Sequence, residues 1–189
     1  MAGDFVFIGG LSRSGKSNFS SALKDFLRLN GINSVLISVD RWLRNYEERE
    51  AGVHGRYHMQ ELKSLIKILS KRDKKIQLSL PSYNKITRTS IKNTDEIVID
   101  PLDVVIIEGT IALNLIHEIN RGRAHGWFVQ IDERERHDRV LNEYRLRGLK
   151  NSEAEDLYQM REIDETPIIQ MTSKHAHHKI YLEMIGNVR

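Results

Sequence analysis

An eight-residue segment near the amino terminus constrains this chain more than any other feature. It reads Gly-Leu-Ser-Arg-Ser-Gly-Lys-Ser over residues 10–17 and matches the pattern G-x-x-x-x-G-K-S/T. The segment before it, residues 4–9, is short and rich in aromatic and β-branched residues, which predicts a buried strand. Residues 17–30 carry apolar side chains at helical spacing, and Gly31 supplies a stop. This strand–loop–helix unit indicates an α/β fold with a parallel sheet.

The loop has the composition of a phosphate-binding site. Glycines let backbone N–H groups turn towards phosphate oxygens, and the start of the helix adds a favourable dipole. We expect Lys16 to reach the β- and γ-phosphates of a nucleotide and the Ser17 hydroxyl to bind Mg²⁺. The expected cofactors are therefore ATP and Mg²⁺. The loop alone does not distinguish ATP from GTP. The residues expected to contact the nucleotide are Gly10, Ser12, Arg13, Ser14, Gly15, Lys16, Ser17 and Asn18.

A phosphate loop alone does not separate kinases, GTPases and motor ATPases. A GTPase needs an Asn-Lys-x-Asp base reader, and the nearest string, residues 84–87, lacks the carboxylate. The chain has no Ser-Gly-Gly signature of ABC ATPases, and 189 residues is small for an AAA module. Elimination therefore favours a small-molecule kinase.

The rest of the chain predicts strands that alternate with helices. Strands are expected at 34–39, 76–80, 96–100, 103–109, 127–131 and 178–184, and helices at 59–70, 111–120, 133–147 and 152–165. The nearly all-apolar run 103–109 suits the centre of a parallel sheet, and 96–100 an edge strand. The hairpin-like segment around 76–100 is expected outside that sheet. We predict one domain over 1–189, a three-layer P-loop NTPase fold with a central parallel sheet, helices on both faces and a small β-hairpin and lid excursion.

The composition of the chain restricts the cellular compartments and the classes of partner that are expected. The absence of cysteine excludes disulfides, thiolate zinc sites and a cysteine nucleophile. No signal peptide is apparent, and the most apolar later stretch is interrupted by Glu108 and is shorter than the ~20 residues that span a bilayer. A net charge of +3 without a long basic run gives weak support for nucleic acid. We expect a cytoplasmic protein that acts on a small-molecule acceptor, without a membrane or nucleic-acid partner. The sequence does not decide between a monomer and a homo-oligomer.

Two acids follow predicted strands. Asp40 comes after the strand at 34–39 and Glu108 lies at the end of the strand at 103–109. Ligands of open α/β sheets bind at the carboxyl ends of strands. Asp40 suits the orientation of an attacking hydroxyl and Glu108 the binding of Mg²⁺. The alternative for Asp40 is a helix N-cap, because Arg41-Trp42-Leu43 could open a helix.

Several segments together resemble one kinase family. They are GGLSRSGKS at 9–17, SVDRW at 38–42, PSYN at 81–84, VVIIEGTIAL at 104–113 and Arg-Gly at 147–148. In order and spacing over roughly residues 4–182 they resemble the uridine kinase and phosphoribulokinase branch of the phosphate-loop kinases.

The resemblance implies transfer of the ATP γ-phosphoryl group to a hydroxyl of a nucleoside or a sugar-like acceptor. By the same resemblance Asp40 accepts the hydroxyl proton, Glu108 contributes to the Mg²⁺ environment, and Tyr83 lines an acceptor site within residues 41–100. A lid over about 139–151 carries Arg139 and Arg147, which close over the phosphates.

The chain departs from the uridine kinase pattern around the acceptor site. Asn84 and Arg88 stand where the family has an aspartate and a base-reading histidine, Arg41-Trp42 replace an aromatic pair, and Asn142 replaces a lid arginine. The expected acceptor contacts are Asp40, Trp42, Tyr83 and Arg88. Arg41, Arg44 and Arg88 suit a carboxylate or phosphate on the acceptor, since a guanidinium binds such groups with two hydrogen bonds. A nucleotide-binding regulatory protein without transfer activity is the alternative.

Overall fold

The computed structural model describes residues 3–183, apart from the Arg121 side chain. Within this part the strands are β1 (Phe5–Gly9), β2 (Ser34–Ser38), β3 (Ile76–Asn84), β4 (Thr89–Ile99), β5 (Val104–Glu108), β6 (Ala124–Gln130) and β7 (His178–Tyr181). The α-helices are α1 (Lys16–Leu29), α2 (Met59–Ser70), α3 (Glu133–Leu146), α4 (Asn151–Asp164) and α5 (Thr166–Thr172). Met184, the predicted end of the last strand, lies outside the described residues.

Five of the strands form one parallel sheet in the order β2–β5–β1–β6–β7. The central strands β1 and β5 are buried at every position, which explains why their sequences are apolar runs without alternation. The register pairs Glu108 with both Ile8 and Ser38. The ends of β1, β2 and β5 therefore lie level, and the loops that follow them meet at one edge.

Side chains of β1 alternate between two cores on opposite faces of the sheet, as the two-residue period of a strand requires. Phe5 and Phe7 pack in the cluster that contains residues of α2 and of the 3₁₀ segment Ala112–Glu118. Val6 and Ile8 pack in a second cluster with Leu27 of α1. This arrangement of helices on both faces of a parallel sheet confirms the predicted three-layer P-loop fold.

Helix α1 ends where the glycine signal predicts. Gly31 has φ +73°, a conformation that side chains with a Cβ rarely adopt. Its N–H donates to the Arg28 carbonyl oxygen at 3.1 Å, and the Ile32 N–H donates to the Leu27 carbonyl oxygen at 2.9 Å. These two bonds close the last turn at its carbonyl groups and turn the chain towards β2.

Strands β3 and β4 form a separate antiparallel hairpin. The register runs from Ile76 opposite Ile99 to Asn84 opposite Thr89, with an irregularity at Pro81, which has no N–H to donate. The prediction of a hairpin outside the parallel sheet is confirmed. Residues 96–99 pair with β3 at the base of the hairpin, so they form an edge strand of this two-stranded sheet and not of the parallel sheet.

Two helical segments also differ from their predictions. The segment expected as a helix over 111–120 is a 3₁₀ helix at Ala112–Glu118, and a further helix, α5, follows α4 after a break at Glu165. Pro167 lies in the first turn of α5, where its missing N–H leaves no helical bond unmade. None of the helices within residues 3–183 is long and apolar enough to cross a membrane.

Candidate nucleotide and acceptor site

The loop between β1 and α1 is shaped by close backbone packing. Gly10 has φ +144°, and a Cβ at this position would overlap the Val129 carbonyl oxygen of the adjacent strand. Gly15 and Arg13 also have positive φ, at 92° and 62°. A loop of this shape turns successive N–H groups towards one point in front of α1, which is the arrangement that binds phosphate.

Lys16 begins α1 and is buried beneath this loop. Its Nζ donates a hydrogen bond to the Leu11 carbonyl oxygen at 2.6 Å. Burial lowers the pKa of Lys16 to about 8, with Glu108 and Asp40 opposing the shift. The ammonium group is therefore held inside the loop and close to two carboxylates, where an additional anion such as a phosphate would stabilise its charged form.

Ser17 and Glu108 meet at the edge of the sheet. The Ser17 hydroxyl donates to Oε2 of Glu108 at 3.3 Å, and Glu108 is buried at the end of β5. A hydroxyl and a carboxylate are the oxygen ligands that Mg²⁺ takes, with waters and substrate phosphates completing its octahedron. No cluster of three or more His, Asp or Glu side chains suited to a metal occurs among residues 3–183. The pair therefore fits an ion that a bound nucleotide helps to hold.

Asp40 lies in a 3₁₀ turn, Val39–Trp42, directly after β2. Its N–H donates to the Ser38 hydroxyl at 3.4 Å, so Ser38 caps the turn and the alternative of Asp40 as an N-cap is wrong. Two groups face its carboxylate. The Tyr57 hydroxyl donates to Oδ1 at 3.4 Å, and Nζ of Lys85 lies 3.1 Å from Oδ2. Burial, with Asp40 nearby, raises the pKa of Tyr57 well above its ordinary value, so that it remains a donor.

One cavity of about 940 Å³ brings most of the expected site residues together. Its lining includes the following residues from the sequence-based expectations: Ser12, Arg13, Gly15, Lys16, Ser17, Asn18, Asp40, Tyr83, Arg88, Glu108, Arg139 and Arg147. Gly10 and Ser14 are not part of this lining. Gly10 packs against β6 behind the loop, and Ser14 is buried. Their positions suit shaping of the loop more than contact with a nucleotide.

Trp42 does not line the cavity, contrary to the expectation that it contacts an acceptor. Its side chain is only 4% exposed and belongs to the core cluster that also holds Tyr57 and Leu62. The 3₁₀ turn Val39–Trp42 directs this large apolar ring inwards, where its burial contributes to stability.

The arginines of the predicted lid are held by nearby acids. Arg139 pairs with Glu135, and Arg147 pairs with Glu143. Arg13 of the phosphate loop pairs with the same Glu143. Burial lowers the pKa of Arg147, and Arg13 adds to this shift. The segment itself comprises the end of α3, a turn and the start of α4, which pack together around a small apolar core of their own.

Two of the three arginines expected to bind an acceptor anion have other partners. Arg41 donates to Asp95 at 2.6 Å and to the Pro81 carbonyl oxygen at 3.0 Å. Arg44 donates to Glu50 at 2.9 Å and to the Tyr57 carbonyl oxygen at 3.2 Å. Neither side chain lines the cavity. The expectation is therefore wrong for these two residues, which fasten the segment 41–57 to itself and to the hairpin.

Arg49, Lys85 and Glu143 are among the residues of this site that the sequence did not predict. Arg49 lines the cavity beside Tyr83, Lys85 contacts Asp40, and Glu143 joins the loop to the lid. Lys85 directly follows Tyr83 and Asn84 at the hairpin tip. Because Tyr83 was expected at the acceptor site, the position of Lys85 could have predicted that it lies there too. Arg49 and Glu143 lie in segments so rich in charge that nothing in their spacing distinguishes them from solvated residues.

Comparisons with known proteins bear on the fold. No protein-family model and no curated protein matches the sequence. A protein from Silicibacter sp. TM1040, described as a candidate fructose transport system kinase, is 17% identical with a TM-score of 0.72, covering 94% of this chain and 89% of that one. A candidate uridine kinase from Bacillus stearothermophilus is 22% identical with a TM-score of 0.60, covering 95% and 89%.

A third structure, phosphoribulokinase from Rhodobacter spheroides, is 13% identical with a TM-score of 0.63, covering 92% of this chain and 67% of that one. These similarities extend over nearly the whole chain. They confirm that it shares the fold of these three structures.

Proposed function

We propose that this protein is a kinase that uses ATP and Mg²⁺ to phosphorylate a hydroxyl group of a small acceptor, a nucleoside or a sugar-like compound. The observation that carries the proposal is the joint presence of Lys16, Ser17, Glu108 and Asp40 in one cavity. The first three form a site for a nucleotide and its metal, and a protein that only bound nucleotide would not need Asp40 there. Residues 1–189 act as one kinase domain, with 41–100 contributing the acceptor site and 139–151 the lid.

In this reaction the loop amides and Lys16 hold the β- and γ-phosphates, while Ser17 and Glu108 would hold Mg²⁺. The metal supplies positive charge that offsets the charge developing on the phosphates. The acceptor oxygen forms a bond to the γ-phosphorus, and the bond from that phosphorus to ADP breaks with its electron pair leaving on ADP. The hydroxyl proton passes to a carboxylate oxygen of Asp40.

The groups around Asp40 act on its position. Tyr57 contacts Oδ1 and Lys85 contacts Oδ2, so each carboxylate oxygen has a fixed direction. Arg139 and Arg147 lie at the same cavity and can exchange their glutamate partners for phosphate oxygens when a nucleotide is bound. Arginines that contact the transferring group accelerate phosphoryl transfer by about 10³–10⁵-fold in other enzymes.

The test compares Asp40→Asn with the wild type in an ADP-release assay containing ATP and Mg²⁺. The acceptors are nucleosides, sugars, sugar phosphates and sugar acids. We expect Asp40→Asn to lose about 10²–10⁴-fold in turnover, the usual contribution of a general base. The ATP dissociation constant should change less than about threefold, because the phosphates lie on Lys16 and the loop.

Asp25→Asn is the matched control, since Asp25 is an exposed residue of α1 whose contact is with Arg28. It should behave as the wild type does. Equal turnover of Asp40→Asn and wild type would contradict the role of Asp40. ATP binding without release of ADP in the presence of any acceptor would instead favour the regulatory protein.

A further inference from the structure

The cavity carries more positive charge than its acids balance. Nine lysine and arginine side chains line it, against five carboxylates: Asp40, Glu108, Glu143, Glu153 and Glu165. A nucleotide would neutralise part of this excess at the phosphate loop. Cations on the opposite side of the cavity, around the tip of the β3–β4 hairpin, are beyond the phosphate loop and are placed to bind the acceptor.

Most cavity arginines already have an acidic partner. Arg13 and Arg147 share Glu143, Arg139 pairs with Glu135, Arg56 pairs with Asp164 and Glu165, and Arg161 lies 3.5 Å from Glu165. Arg49 and Arg88 differ. Among residues 3–183, no aspartate or glutamate oxygen lies within 4.0 Å of either guanidinium.

Arg49 is half-buried and held by neutral groups. Its Nε donates to the Arg44 carbonyl oxygen at 3.2 Å, and one terminal nitrogen donates to the Tyr83 hydroxyl. The guanidinium carbon lies 5.5 Å from the ring centre of Tyr83 and 5.9 Å from that of Tyr46. Two of the five N–H groups are therefore used and the others remain for a ligand, on a plane whose orientation the tyrosines fix.

Arg88 approaches the same tyrosine from the hairpin. Its guanidinium carbon lies 4.7 Å from the ring centre of Tyr46, and its carbonyl oxygen accepts a hydrogen bond from the Tyr46 N–H at 3.2 Å. The residue has φ +58°, a conformation that costs a non-glycine residue free energy. The hairpin tip is therefore bent into a strained shape that sets an arginine beside Tyr46, the ring that Arg49 also approaches.

Resting on the function proposed above, we infer that the acceptor carries an anionic group, a carboxylate or a phosphate ester, which Arg49 and Arg88 bind at the hairpin side of the cavity. Two guanidinium planes that flank one tyrosine are preorganised for hydrogen bonds to such a group. The same hairpin carries Lys85, which contacts Asp40. A single acceptor can therefore reach both arginines with its anion while its hydroxyl faces Asp40.

The first experiment measures binding and does not depend on turnover. Calorimetric titrations use protein saturated with Mg²⁺ and a nonhydrolysable ATP analogue, so that the phosphate loop is filled. The probes are two matched pairs, D-glycerate with glycerol and ribose 5-phosphate with ribose. Wild type should bind at least one anionic probe more tightly than its neutral partner, by about ten- to hundredfold, the usual worth of a charge-assisted contact. The double variant Arg49→Gln, Arg88→Gln should lose that preference.

Lys92→Gln is the charge-matched control, since Lys92 is exposed on the same hairpin and does not line the cavity. It should retain the preference. Arg49→Lys with Arg88→Lys keeps the charge but not the planar fork and should lie between wild type and the glutamine variant. Thermal melting of each variant separates lost binding from lost folding.

Several results would overturn the inference. They are equal binding of the anionic and neutral probes by the wild type, the same preference in the glutamine double variant, or a loss of ATP-analogue affinity in that variant, which would assign the arginines to the nucleotide. Turnover of the bound probe tests the proposed function separately. An anion bound through Arg49 and Arg88 but not phosphorylated with ATP would sustain the binding inference and contradict the kinase.

Discussion

Nζ of Lys85 lies 3.1 Å from Oδ2 of Asp40, so the β3–β4 hairpin sets a cation on the carboxylate that follows β2. The contact joins the two sheets of the molecule, since Lys85 belongs to the hairpin tip and Asp40 to the edge of the parallel sheet. It also means that the hairpin cannot move away without altering the direction of the Asp40 carboxylate.

Lys85→Met should therefore lower turnover more than stability. Both side chains are partly exposed, and such ion pairs contribute about 1 kcal/mol or less to folding. Loss of the contact leaves Asp40 with Tyr57 alone, and we expect a decrease in kcat of about tenfold, as for a charge-assisted hydrogen bond. Steady-state kinetics and urea unfolding check the two parts. A loss of several kcal/mol would identify the pair as structural instead.

ATP affinity should fall as the pH rises through about 8. Burial lowers the pKa of Lys16 to about 8, so the side chain of the free protein is charged below this pH and neutral above it. A bound phosphate favours the charged form and raises the pKa, so binding takes up a proton near pH 8. Between about pH 7 and about pH 9 the dissociation constant should increase about tenfold. Calorimetry in buffers of different ionisation enthalpy measures both effects, and Lys16→Met should show neither. Equal pH dependence in the two proteins would contradict this assignment.

Glu143→Gln should bind ATP more tightly than the wild type. Glu143 occupies both Arg13 and Arg147, and phosphate oxygens must compete with it for these guanidinium groups. Removal of its charge should lower the ATP dissociation constant by about three- to tenfold, in line with the modest strength of partly exposed ion pairs. Asp138→Asn is a control on an exposed position of the same helix. A weaker affinity in Glu143→Gln would show that the glutamate organises the site.

Gly10→Ala should destabilise the protein far more than Gly52→Ala. Both glycines have positive φ, but a Cβ on Gly10 would overlap a backbone oxygen of β6, whereas nothing lies within 4 Å of a Cβ on Gly52. We expect Gly52→Ala to cost about 1 kcal/mol from backbone strain, and Gly10→Ala about 3 kcal/mol or more because backbone must also move. Chemical denaturation measures both. Equal losses would mean that the loop adapts to the added methyl group.

Trp42→Phe and Tyr83→Phe should separate stability from acceptor binding. Trp42 is buried in the core, and shortening it should cost about 1–3 kcal/mol while the acceptor KM stays unchanged. Tyr83→Phe removes the hydroxyl that Arg49 contacts and should raise the acceptor KM about three- to tenfold with little change in stability. A raised acceptor KM in Trp42→Phe without a loss of stability would instead show that Trp42 contacts the acceptor.

Local sequence patterns predicted the parts of this structure that depend on local physics. The phosphate loop, the stop at Gly31 and the apolar run of β5 each follow from short-range geometry or from burial on both faces of a sheet. The 3₁₀ form of Ala112–Glu118 was not predictable in the same way. Four of its residues are buried between α2 and the sheet, and this packing decides which helical form the segment takes.

Side-chain roles that depend on a partner distant in sequence were the hardest to predict. Four arginines of the predicted acceptor region have different surroundings. Asp95 and Glu50 pair with Arg41 and Arg44, whereas Arg49 and Arg88 line the cavity. A sequence shows that arginines are present but not which of them an acid will reach. Trp42 was misassigned for a related reason, because the direction of its ring is set by the turn at Asp40.

The β3–β4 hairpin contributes no strand to the parallel sheet, and its tip is largely exposed. The Ile86 residue at this tip has 90% of its surface exposed to solvent. Substitutions between Tyr83 and Arg88 consequently leave the packing around α1 and β5 intact. Related chains could diverge in the compounds they accept through a few changes at this tip, while inheriting an unaltered nucleotide site. Because Arg49 lies outside the hairpin, in the segment 41–57, an exchange between two such proteins should transfer the acceptor preference in full only when the hairpin and this segment are moved together.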